Sequence, residues 1–141
     1  MNMNALLLTL HLIVIAMGIG MTFSNLVNAS LSLGNPVEFQ KGLGLQRRMI
    51  GRIGDIVILL IWVTGGLALW LRGHEGLGTA FAFKIAFVIL LTMAHIRGRT
   101  LGERMRREGH LNQVKDQRNL MLAGWTLALA ALVCAVISFA A

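Results

Sequence analysis

Apolar residues run through this chain in four long blocks separated by polar stretches, and no block alternates with a period of two. The blocks lie at about 5–23, 49–71, 79–96 and 119–139. Each is close to the roughly 20 residues that a helix needs to cross a hydrocarbon core about 30 Å thick. Without strand-like alternation bounded by turn residues, every block reads as a helix. The first block carries a polar shoulder of Ser24, Asn25, Asn28, Ser30 and Ser32, along which the helix can continue toward Leu33. Gly34-Asn35-Pro36 then breaks it. Residues 34–48 read as a basic loop, 72–78 as a short turn, and 97–118 as an arginine-dense linker extending helices three and four. The pattern predicts one all-α domain over residues 1–141, an integral membrane four-helix bundle.

Composition sharpens this picture. Of 141 residues 56% are hydrophobic, and the mean hydropathy is +0.71. A soluble domain of this length buries less apolar surface than that. A net charge of +7 raises the question of nucleic acid. The basic residues, however, sit at the ends of apolar runs, as cytoplasmic membrane flanks do, so the reading is against nucleic-acid binding. The stretches after blocks one and three, with the start of block two, hold eleven of the thirteen Lys and Arg residues. The positive-inside rule then places both stretches in the cytoplasm and both termini on the non-cytoplasmic side, most simply across a bacterial inner membrane. The first block follows MNMN, which has no positive charge, and is long for a leader's apolar region, so it reads as a retained span. Cys134 stands alone in an apolar run and behaves as a small hydrophobe.

Few residues in the spans carry chemistry. In block three, Lys84 and His95 lie eleven residues apart, about three helical turns, on one face and roughly 16 Å apart. Ionisable groups inside a membrane are costly and mark function by default. The topology gives two polar layers: an outer one with His11 and Lys84, and an inner one with His95, Asp55, Arg52 and Arg48. His11 and His95 then differ in depth by about 14 Å. That offset opposes their joint ligation of one iron. His11 reads either as a hydrogen-bonded bundle histidine or as an axial ligand for haem b. Gly18 and Asn25 share its face at heptad spacing, and Gly18 leaves room for a neighbouring helix or a porphyrin edge. His95 reads as a ligand, a proton-transfer group, or an interface histidine paired with Asp55. Lys84 either snorkels to the headgroups or meets an anion. Asp55 lies near Arg48 and Arg52, which suggests an intrahelical ion pair, with a place in a proton path as the alternative. Trp62, Thr64, Gly65 and Gly66 read as packing, Trp70 and Trp125 as interfacial, and His74 and His110 as loop histidines. The chain has no CxxCH, phosphate-binding glycine loop or nucleophile elbow.

Three stretches together resemble the HemJ/CopD-like group of membrane proteins. They are LHLIVIAMGIG (Leu10 to Gly20), Gln46-Arg47-Arg48-Met49 leading into IGRIGDIVILLIWVTGGLALW, and Phe83-Lys84 followed by His95. The resemblance implies a small four-helix protein holding haem b, with His11, Lys84 and His95 as site residues and Arg47 and Arg48 as weaker matches. It implies porphyrinogen oxidation as an activity. The stretch FSNLVNASLS lacks the proline, arginine and second histidine that the group carries there.

Three functions compete on this reading. One is a haem-b redox protein exchanging electrons with a quinone, a porphyrinogen or a protein partner. Another is a non-enzymatic accessory subunit of a larger membrane complex. The last is a CopD-like metal transporter, ranked behind the others because few soft ligands fall in register. A small bundle of this kind also suits a homo-oligomer.

Overall fold

The computed structural model describes residues 3–72, 79–108 and 114–140. They form four helices: α1 (Met3–Leu31), α2 (Val37–Arg72), α3 (Thr79–Glu108) and α4 (Val114–Ala140). No strand occurs among the described residues. All four helices are long and apolar enough to cross a membrane, and the chain is an all-α integral membrane bundle.

The helices run well past the apolar blocks. α2 has 36 residues, about 54 Å of helix, so its ends project beyond a 30 Å core. Residues 37–48, expected as loop, are its opening turns. Lys, Gln and Arg here are good helix formers, Leu43 is buried, and Lys41 pairs with Glu38 one turn earlier at 3.1 Å. Pro36 sits at the N-cap, where its carbonyl accepts from the Gln40 amide and its missing N–H costs nothing. The α1–α2 break turns on Gly34, whose φ of +77° suits glycine. The arginine-dense linker is likewise helical through Glu108 and again from Val114. The proposed turn at 72–78 lies outside the described residues except for its first position, and His74 and His110 lie outside them too.

Side-chain pairs fix the directions. His11 meets Thr64, and Ser32 meets Arg47, so α1 and α2 are antiparallel. Asp55 meets His95, and Trp62 meets Thr92, so α2 and α3 are antiparallel. A Cβ at Gly98 would meet Met121, and one at Gly102 would meet Gln117, so α3 and α4 are too. The result is an up-down bundle. α1 packs on α2 and α4, and α3 packs on α4, while the α2–α3 seam is the loosest of the four and the diagonal backbones stay apart.

The bundle is apolar outside as well as inside. Leu12, Ile13, Ile56, Leu59, Val63, Ile89, Leu90, Val133 and Val136 are exposed, as residues facing lipid tails must be. The buried apolar positions are mostly small or β-branched: Val14, Ala29, Val57, Ala128 and Ala135. Helices associating in lipid gain from close packing rather than from escaping water, which favours small contacts. Trp70, 79% exposed near the end of α2, suits an interfacial belt. Trp125 instead packs against Phe23, with ring centroids 6.0 Å apart.

Candidate functional site

Most of the span residues expected to carry chemistry line one of two cavities, Asp55 being the exception. The smaller encloses about 160 Å³ among α1, α2, α3 and α4. His11, Gly18, Gly65, Gly66 and Lys84 line it, with Trp62 and Phe81 among the apolar walls.

His11 is 5% exposed. Its Nδ1 lies 2.7 Å from Thr64 Oγ1. The Thr64 hydroxyl donates its own proton to the Leu60 carbonyl at 2.6 Å, as threonine does in a helix. In the tautomer that suits this arrangement Thr64 Oγ1 accepts from His11, and the imidazole proton sits on Nδ1. Nε2 is left with its lone pair, and it is buried without a hydrogen-bond partner. A threonine holding one ring nitrogen so that the other presents a lone pair is how ligating histidines are oriented. Gly65 lies against the ring; a Cβ there would sit 3.2 Å from His11 Cε1. Thr64 and Gly65, expected as packing, are thus the residues that orient His11. The i,i+4 back-bonding habit of helical threonine was the available signal.

The larger cavity, about 630 Å³, lies at the end of the bundle that carries the arginines, mainly between α2, α3 and α4. His95 lines it together with Arg47, Arg48, Arg52, Arg99 and Arg106. Asp55 does not pair within its own helix. It reaches across the α2–α3 seam, accepting from His95 Nε2 at 2.7 Å and pairing with Arg99 at 3.3 Å. Arg99 was not among the expected residues. It lies one turn beyond His95 and so on the same helix face, which was the legible clue. His95 packs against Gly54, where a Cβ would come within 2.7 Å of its Cε1.

Arg47 has a separate task. It donates to Gln117 Oε1 of α4, to Ser32 Oγ at 2.9 Å and to the Leu43 carbonyl at 3.4 Å. It ties α1, α2 and α4 together at this end. Ser32, 1% exposed, passes its own proton to the Asn28 carbonyl.

The expected haem residues are therefore not one set. His11, Gly18 and Lys84 share the small cavity, while His95, Arg47 and Arg48 line the large one. Thr64 and Asp55, the partners of the two histidines, are nine residues apart along α2. That separates the histidines by about 14 Å along the bundle, too far for two bonds to one iron. His95 does not fit as second ligand, because Asp55 already holds its Nε2. The donor chemistry of His11 does fit one axial bond. The cavity beside it is smaller than the roughly 300–1,000 Å³ that encloses a cofactor-sized ligand, so a porphyrin enters only if α2 and α3 part. Among the described residues no group of three or more His, Cys, Asp or Glu side chains could hold a metal ion.

No family model, curated protein or solved structure matches this chain.

Proposed function

We propose that the protein is a redox protein of a bacterial inner membrane in which His11 is the axial ligand of a b haem. The observation that carries this reading is the buried, unpartnered Nε2 of His11, with its lone pair fixed by the Thr64 bond. Similarity of His11, Lys84 and His95 to the HemJ/CopD-like pattern adds to it. A b haem held there would supply one-electron chemistry, with a quinone, a porphyrinogen or a membrane partner as the other party. Lys84 brings a positive charge to the same cavity, suited to a propionate. His95 is held at Nε2 by Asp55, which leaves Nδ1 to take or release a proton at the basic end of the bundle. The positive-inside rule supports a cytoplasmic position for that cavity, with both termini on the opposite side.

The test is an absorption spectrum of the detergent-purified protein, produced with ample haem, before and after dithionite. A Soret band that moves on reduction, and that His11→Ala abolishes while His95→Ala keeps, supports the reading. A featureless spectrum overturns it and leaves the accessory subunit of a larger membrane complex, to be sought by co-purification.

A further inference from the structure

The larger cavity holds more positive charge than its surroundings neutralise. Arg99 is paired with Asp55 and Lys41 with Glu38. Arg47 is bonded to neutral partners. Among the described residues Arg48, Arg52 and Arg106 have neither an ion-pair nor a hydrogen-bond partner, and the one carboxylate on the lining, Glu103, is unpaired as well. Guanidinium groups gathered in a partly enclosed cavity repel one another unless an anion joins them, and their forked donors match a phosphate's oxygens.

The rest of the cavity says what the anion is attached to. Its lining straddles the ends of the apolar spans, from Arg106 and Gln40 at the polar mouth to Leu91, Leu120 and Met121 in its depth. Glycines 44, 51, 98, 102 and 124 keep it open. At about 630 Å³ it is within the range of ligand pockets. The α2–α3 seam beside it is the loosest in the bundle, so a molecule can enter sideways from the bilayer. A charged mouth at headgroup level over an apolar interior accepts an amphiphile lying as lipids lie. Basic pockets between membrane helices bind anionic headgroups on this principle.

We infer that the cavity between α2, α3 and α4 is a binding site for an anionic phospholipid, its phosphate held by Arg48, Arg52 and Arg106 and one chain lying against Leu91, Leu120 and Met121. The inference does not rest on haem at His11, which lines the other cavity.

The experiment titrates the delipidated full chain in detergent with dioleoylphosphatidic acid, dioleoylphosphatidylcholine or inorganic phosphate, and counts retained lipid by native mass spectrometry. The expected result is retention of one phosphatidic acid in preference to phosphatidylcholine. Arg48→Gln/Arg52→Gln lowers its affinity about twenty-five-fold, at roughly fivefold per guanidinium. Arg48→Lys/Arg52→Lys, which keeps the charge, retains part of it and guards against simple misfolding. Arg104→Gln/Arg107→Gln makes the same charge change at exposed positions outside the lining and leaves affinity within about threefold. Displacement of the lipid by millimolar inorganic phosphate keeps the phosphate site and makes free phosphate its ligand. Equal retention of phosphatidylcholine, or equal loss in the Arg104/Arg107 control, overturns the inference. The spectrum of any bound haem is a separate readout, so the two readings fail independently.

Discussion

At the scale of single residues, two histidines of one bundle are set for different work by their neighbours. Thr64 fixes His11 with its lone pair outward, whereas Asp55 occupies Nε2 of His95. Removing the Thr64 hydroxyl while keeping its shape should free the His11 ring to turn. Losing such a support typically costs 10- to 100-fold in ligand affinity. Thr64→Val is therefore expected to lower haem affinity by that factor without changing helix content, as measured by haem titration and circular dichroism. Glycines offer a contrasting test. A Cβ at Gly54 meets the rigid His95 ring at 2.7 Å, and one at Gly98 meets the terminal methyl of Met121 at 2.5 Å. The ring is held by Asp55 at Nε2, next to the Cε1 that the new Cβ would meet, while a methionine end swings away at little cost. Gly54→Ala should destabilise by about 1–3 kcal/mol and Gly98→Ala by much less. Thermal unfolding in detergent orders the two, and an equal loss would mean that His95 moves as freely as Met121.

At the scale of elements, the four spans were legible because lipid demands about 20 apolar residues per crossing, and nothing else in the chain competes with that signal. The axial separation of His11 and His95, about 14 Å, followed from counting residues at 1.5 Å each. The 37–48 segment was not legible as helix, because its glycines and arginines read as loop until Leu43 is seen buried and Pro36 seen at the N-cap. The sequence placed Asp55 beside Arg48 and Arg52 on one helix, but pairing is settled by which neighbouring helix comes close. Here α3 brings His95 and Arg99 instead. The tie made by Arg47 was hidden for the same reason, since its partners lie 15 and 70 residues away. That tie makes a prediction of its own. Arg47→Met keeps an unbranched apolar stem but leaves Gln117 Oε1 and Ser32 without their donor in a half-buried place. A loss of about 1–3 kcal/mol is expected, seen as a lower unfolding temperature. Arg47→Lys should recover only part, since an ammonium cannot reach both partners with a fixed fork. Full recovery by lysine would mean that charge alone matters there.

For the whole molecule, the charge gathered at one end of the bundle predicts which compartment that end faces. Both the arginine-rich helix ends and the 630 Å³ cavity lie at the end where α1 and α3 finish and α2 and α4 begin. Lys and Arg near span ends stay in the cytoplasm, so α1 should start on the opposite side. The single Cys134, half-buried in α4, can be replaced by serine to give a background for labelling. On it, Met3→Cys and Arg104→Cys place a thiol at exposed positions near opposite ends of the bundle. In spheroplasts a membrane-impermeant maleimide should modify position 3 at once and position 104 only after lysis. The reverse pattern would place the arginines outside, against the charge rule. It would put His95 and the arginine cavity at the outer surface, facing the other leaflet. The labelling result thus bears on sidedness and on the source of any bound phosphate together, while the buried Nε2 of His11, deep in the other half, is equally placed under either orientation.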